Sequence, residues 1–258
     1  MGKKGLIALV AVLALSIATV ASAEIASKGP IQISFHGSIA PVKLPRKGLA
    51  PVGVQMGAKI KTTDKSVPPK LSKIILDINA NGRFEHKGLP VCALGQLNNS
   101  SSSRAKSVCG DAEVGSGNVT SRVKLPDQGE FSSNGPMLAF NGRYKGKPAI
   151  FAHVASTGQL TLTYVIVFVI KKTKGTYGNS LVADLPEIAS GNGYISAFDL
   201  SLKRKYSFKG QKRSYVSASC PLPPAVNIAS FSFAKSTYVF EDGTKISSVL
   251  KRQCKARG

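Results

Sequence analysis

Four groups of residues in this chain have the types and spacing to do chemistry. Asp77-Ile78-Asn79-Ala80-Asn81-Gly82 sets side-chain oxygens at alternate positions before a glycine, as in the first half of a calcium loop. The position that should close such a loop with a bidentate acid is Gly88, and Arg83 brings a positive charge close by. Asp77, Asn79 and Asn81 therefore make half a calcium site, and a plain Asn-Gly hairpin turn is the preferred reading. No metal or other cofactor is expected. The second group is Cys92, Cys109, Cys220 and Cys254. An even count without any Cys-x-x-Cys, and with His36, His86 and His153 at no ligand spacing, favours disulfides over zinc. Three pairings are open. Neighbours in sequence close first, which predicts Cys92–Cys109 and Cys220–Cys254.

The third group is basic. Lys203-Arg204-Lys205 and the run holding Lys209, Lys212 and Arg213 flank Tyr206 and Phe208 at an expected hairpin. Such a cluster can hold phosphates or carboxylates with salt-sensitive affinity. The alternative is a set of solvated hairpin ends that keep sheet edges from pairing. The interleaved aromatics are too few for a single-strand nucleic-acid platform, so no specific nucleic-acid partner is expected. The fourth group is catalytic in type only. His36 and His153 lie within strand patterns, where a lone histidine reads as structural, and His86 follows a hairpin. No Gly-x-Ser-x-Gly nucleophile turn occurs. The 13 acids nominate no facing pair of the kind a glycosidase needs. Tryptophan is absent, which removes the usual sugar-stacking platform. No catalytic residue is assigned. Asn98, Asn99 and Asn118 stand in glycosylation sequons, which matter only in a host that uses them.

The elements that must position these groups are strands. Residues 31–39 and 52–60 alternate apolar with small or polar side chains, and Pro41, Pro45 and Pro51 break the chain between them. Residues 71–79 make a third strand. Residues 138–144 and 148–153 pair around 145–147. Residues 160–170 are almost continuously apolar and β-branched, which predicts a central strand buried on both faces. Residues 206–208 and 215–219 pair through 209–212, and residues 231–240 and 245–252 through Asp242-Gly243. Between Cys92 and Cys109, serines and asparagines offer helix caps and Arg104–Val108 a short helical turn, so the disulfide closes a helical excursion on itself. About a dozen strands with close-spaced turns predict an all-β, antiparallel sandwich of jelly-roll type. Residues 24–258 read as one large β unit. The alternative is two β domains with a break near 126–136.

Compartment follows from the leader. Met-Gly-Lys-Lys, an apolar block over 6–20 and Ala21-Ser22-Ala23 form a secretory signal peptide over 1–23, cleaved before Glu24. Its apolar core is short for a membrane span, and no transmembrane segment is expected once it is removed. No cysteine follows it for lipid attachment. Leu125-Pro126-Asp127-Gln128-Gly129 resembles a cell-wall sorting signal only faintly and lacks a hydrophobic tail, and the C-terminus is polar. A secreted, extracellular protein without a covalent anchor is the expectation. The formal net charge is +22 over the whole chain, from 35 Lys and Arg against 13 Asp and Glu, and the leader removes only Lys3 and Lys4. Outside a membrane, that field favours anionic cell-envelope polymers or lipid head groups as partners. The reading is a non-catalytic, envelope-associated protein, with a secreted hydrolase acting on polysaccharide as the alternative.

Several stretches also look familiar together. Ile33-Ser34-Phe35-His36-Gly37, the run from Leu44-Pro45-Arg46 to Pro51-Val52, and Gly88-Leu89-Pro90-Val91-Cys92 are followed by Leu138-Ala139-Phe140-Asn141-Gly142-Arg143 and Tyr215-Val216-Ser217-Ala218-Ser219-Cys220-Pro221. In combination they resemble a family of uncharacterised secreted proteins of actinobacteria. The resemblance spans essentially the whole mature chain. It implies secretion and a single unit, and it carries no activity or functional residues.

Overall fold

The structure is a computed structural model that describes residues 23–257. All of the expected leader except Ala23, that is residues 1–22, lies outside the described residues. The described residues fold into seventeen strands and one short α-helix. In order they are β1 (Glu24–Lys28), β2 (Ile31–Ala40), β3 (Lys43–Leu44), β4 (Ala50–Thr62), β5 (Leu71–Asn79), β6 (Gly82–Phe84), α1 (Ser102–Cys109), β7 (Glu113–Val123), β8 (Phe131–Tyr144) and β9 (Lys147–Ser156). There follow β10 (Leu162–Lys172), β11 (Tyr177–Asp184), β12 (Gly193–Leu202), β13 (Lys205–Phe208), β14 (Gln211–Ser214), β15 (Val216–Ala218), β16 (Ile228–Phe240) and β17 (Lys245–Ala256). The expected all-β fold is present, with more strands than the dozen legible in the sequence.

Period-two alternation builds it. In β2, Ile31, Ile33, Phe35 and Ile39 point inward and are buried, while Gln32, Ser34, His36 and Ser38 alternate outward. Fully burying each such side chain stabilises by about 1.5–3 kcal/mol. Fifteen strands form one sheet in the order β1-β2-β4-β12-β7-β8-β9-β10-β11-β5-β16-β17-β3, with β15 bridging β4 and β6. All pairings are antiparallel except β17 with β3. The two layers of the expected sandwich are therefore halves of one curled sheet. Met56, Phe198 and Leu202 of one half face Ile74, Leu76 and Phe168 of the other across an apolar void of about 30 Å³. That void is far too small for a ligand. The ends of the sheet meet where β17 packs against β1 and β2. There Arg252 Nε donates to the Gly37 carbonyl at 2.6 Å. Residues 124–130 are the turn between β7 and β8, which pair over most of their length within the same sheet.

A second, smaller core lies outside the sheet. Leu138, Phe140, Ala149 and Phe151 on the outer face of β8 and β9 are covered by Leu97, Ala105 and Ala112. The Cys92–Cys109 disulfide closes this cover, with a Cα–Cα distance of 5.3 Å. The helix expected there is α1, capped by Ser101, whose Oγ accepts from the Arg104 N–H at 3.2 Å. The cover reaches β10 only in part, so Val165, Val167 and Val169 stay half-exposed. This corrects the expectation of a strand buried on both faces.

Two turns also differ from expectation. Asn81-Gly82 does not form a hairpin, because β6 leaves β5 and pairs with β15, and neither residue adopts positive φ. The basic hairpin turns tighter than 209–212. Lys209 and Gly210 both take positive φ (51° and 73°), so two residues suffice and Lys212 joins β14.

Candidate polyanion-binding pole

Antiparallel register sorts the turns to the two ends of the curled sheet. One end carries the segments at 41–49, 80–81, 145–146, 173–176, 203–215 and 219–227. The other carries 29–30, 63–70, 124–130, 157–161, 185–192 and 241–244. Charge follows this division. Asp64, Asp127, Glu130, Asp184, Glu187, Glu241 and Asp242 all lie at the second end, where lysines are interspersed with them. The first end holds Asp77, Glu85, Asp111 and Glu113 as its acids. Against these stand Arg143, Lys145 and Lys147 on one hairpin, Lys171, Lys172 and Lys174 on the next, the whole 203–213 run, and Lys251, Lys255 and Arg257 at the end of β17. Basic runs far apart in sequence thus share one basic pole.

The sequence-predicted cluster is split by its own strand alternation. In the β13–β14 hairpin, Tyr206 pairs with Arg213 and Ser207 with Lys212. Tyr206 Oη donates to the carbonyls of Glu85 and Lys87 at 3.2 and 3.1 Å. The Phe208 ring fills the place that a Cβ at Gly88 would take. Arg213 lies over that ring, 5.5 Å from its centroid, and 4.0 Å from Glu85. Arg213 therefore helps hold the hairpin down. Lys203, Lys205, Lys209 and Lys212 remain exposed, with Lys209 at the tip, while Arg204 is half-buried. His86 lies between the two residues whose carbonyls Tyr206 bonds. Burial first, and then the positive field of Arg143, holds its imidazole below the usual range, against the opposing pull of Glu85.

The remaining predicted residues are placed as follows. Cys220–Cys254 forms as expected, with Cα atoms 6.0 Å apart, and fastens the segment after β15 to β17. Asn79 uses its amide on the Ser232 carbonyl at 2.9 Å and its Oδ1 on the Asn81 N–H at 2.9 Å, so its carboxamide serves the turn. Asp77 faces Lys235 on the neighbouring strand. No cluster of three or more His, Cys, Asp or Glu side chains suited to a metal occurs among the described residues. Asn98, Asn99 and Asn118 are exposed.

Three arrangements escaped the sequence. His36 and Asp199 meet across β4, Nε2 donating to Oδ1 at 2.6 Å, because the residue between them is Gly57. A β carbon there would press on both side chains, 2.7 Å from His36 Nε2, and lie 2.5 Å from the Phe198 carbonyl. His153 is fully buried beneath the disulfide loop and donates from Nε2 to the Ser100 carbonyl at 2.8 Å. At the second pole, a cleft of about 820 Å³ is lined by Lys59, Lys61, Lys65, Lys124 and Tyr194. Its carboxylate, Glu130, accepts from Arg122 Nε at 2.7 Å and Tyr194 Oη at 2.8 Å. These bonds hold Glu130 below the usual carboxylate range despite its desolvation. Burial and the bond to Glu130 push Tyr194 up to about 12. Only a sign that pairs glycine with flanking polar residues across strands could have found the first of these, and that requires the register.

Fold and pole together define a disulfide-linked, all-β protein with a basic surface concentrated at one end. No family model matches the chain, and no match is found among curated proteins or solved structures. No helix among the described residues is long and apolar enough to cross a membrane.

Proposed function

We propose that this is an exported, non-catalytic protein that associates with the cell envelope through its basic pole, binding the phosphates or carboxylates of anionic polymers or lipid head groups. The observation that carries the reading is the segregation of charge, which gathers basic runs from four parts of the chain at one end and leaves seven of the 13 acids at the other. Concentrated charge of one sign attracts a polyanion more strongly than the same charge dispersed. Export is supported by the leader, by the resemblance to secreted actinobacterial proteins, and by two disulfides of the kind that persist in oxidising compartments. A non-catalytic role is supported by the engagement of Glu130 with Arg122 and Tyr194, which leaves the carboxylate of the large cleft ionised and committed. The polysaccharide-hydrolase alternative needs a carboxyl group free to exchange a proton with substrate.

Retention on an immobilised polyanion tests the reading. The protein should bind a heparin column at low salt and elute as salt rises. A variant carrying Lys203→Glu, Lys209→Glu and Lys212→Glu should elute at clearly lower salt than one carrying Lys59→Glu, Lys61→Glu and Lys65→Glu at the opposite pole. Equal elution of the two triple variants would remove the basic pole as the binding surface.

A further inference from the structure

Exposed aliphatic side chains gather at one place on the same pole. Val42 and Leu49 on the segment between β2 and β4, and Val226 and Ile228 before and at the start of β16, are 38, 40, 39 and 51 % exposed. Backbone contacts bring the two segments together. The Lys255 N–H donates to the Val42 carbonyl at 3.0 Å, and Ile228 pairs directly with Lys255 across the β16–β17 ladder. Large apolar side chains exposed singly call for no explanation, but several on adjoining loops do.

The loops are built to keep these side chains outside. Arg46 places its guanidinium among the carbonyls of Leu222, Pro223 and Val226 at 2.6–2.9 Å, and reaches Asn227 Oδ1 at 2.8 Å. Cys220 anchors the beginning of that loop to Cys254, and its N–H donates to the Pro45 carbonyl at 2.8 Å. Prolines at 41, 45, 221, 223 and 224 restrict the backbone further. An aliphatic surface held open in this way loses little conformational entropy when it is covered.

Its border supplies the chemistry of what covers it. Lys43, Lys47, Lys255 and Arg257 are all exposed around the four aliphatic residues. Arg257 Nε donates to the Lys43 carbonyl at 3.1 Å, which ties two of these cations to one edge. No acid lies on residues 41–49 or 219–228. A polymer chain of phosphates would use the cations and leave the aliphatic groups in water. An anionic bilayer uses both, since aliphatic side chains enter the boundary between head groups and acyl chains while lysines meet the lipid phosphates.

We infer that the 41–49 and 222–228 loops form a docking surface for an anionic lipid bilayer. The inference rests on the envelope-association reading and names the partner for this part of the pole.

Vesicle sedimentation separates the two. The native protein should sediment with phosphatidylglycerol/phosphatidylcholine vesicles at physiological salt and stay in solution with phosphatidylcholine alone. Val42→Asn with Ile228→Asn should weaken binding to the anionic vesicles by about tenfold or more, given the free energy of burying two aliphatic side chains. The same variant should elute from heparin at the native salt concentration, because its cations are intact, and its unchanged far-ultraviolet circular dichroism would show that it folds. Vesicle binding by the Asn variant at native strength would overturn the inference. So would heparin retention without any vesicle binding by the native protein. Failure to bind either probe at low salt would overturn the envelope-association reading itself.

Discussion

Gly57 shows how much one residue decides when three strands lie side by side. It sits on the outer face of β4, directly between His36 of β2 and Asp199 of β12. The absent side chain is what lets the imidazole and carboxylate join across a strand that would otherwise separate them. Its φ is ordinary, so space and not backbone freedom selects glycine here. Gly57→Ala forces the new methyl against both side chains and the Phe198 carbonyl, and an overpacked site of this kind costs about 1–3 kcal/mol. Chemical denaturation should show a loss in that range. His36→Ala alone should cost less, because the pair is partly exposed and such pairs contribute at most about 1 kcal/mol. A Gly57→Ala variant as stable as the native protein would mean that the strands can part at little cost.

At the level of the element, the disulfide excursion is a lid over an apolar face. Without it, Phe140 and Phe151 on the sheet would face water. Crosslinking residues 17 apart contributes about 3 kcal/mol in the chain-entropy model. Cys92→Ala with Cys109→Ala should lower stability by about that amount and speed amide exchange in α1 before β8 or β9. Uniform exchange across all three would show that the lid and sheet open together. The lid should also loosen in acid. Burial holds the His153 imidazole below its usual range, against the opposing effect of the Ser100 carbonyl. Its Nδ1 is buried without a hydrogen-bond partner, so a second proton would have nothing to meet. The unfolded chain binds a proton near pH 6.5, where the folded state refuses it. Stability from this group is thus complete above pH 6.5 and falls as pH drops below it. His86 adds a shift of the same sign. Unfolding free energy measured from pH 8 to 5 should decline, and His153→Gln should flatten the decline without abolishing it.

Taken whole, the molecule separates two jobs. The interior of the curled sheet is apolar and nearly filled, and its outer face is largely polar on β2, β4 and β12, which is the reverse of a membrane-spanning barrel. Among the described residues, the distinctive surfaces are the two poles. Of these, one is basic and carries exposed aliphatic groups, while the other mixes charges around a cleft whose carboxylate is already bonded. Salt should therefore act on the two poles differently. It screens the long-range pull of the first and leaves the short Arg122–Glu130–Tyr194 contacts of the second mostly intact.

Much of this was legible in one dimension. Period-two alternation in 31–39 and 52–60, the turn residues, the caps ahead of α1 and the even cysteine count led to an all-β fold, its short helix and both disulfides, because each of these signals is local in sequence. The strand at 160–170 was read correctly as central and wrongly as buried on both faces, since its cover is made by a segment 60 residues earlier and reaches it only partly. The Asn81-Gly82 hairpin failed for a related reason: β6 finds a better partner in β15 than in its neighbour. The basic residues were visible as runs, but alternation within β13 and β14 turned Arg213 inward, and only the register brought the runs at 143–147, 171–174, 203–213 and 251–257 to one end. By itself, then, the sequence determined composition, charge, strand character and crosslinks. Tertiary structure decided which charges and which aliphatic side chains share a surface, because strand order and register depend on contacts between residues a hundred or more positions apart, which no local pattern records.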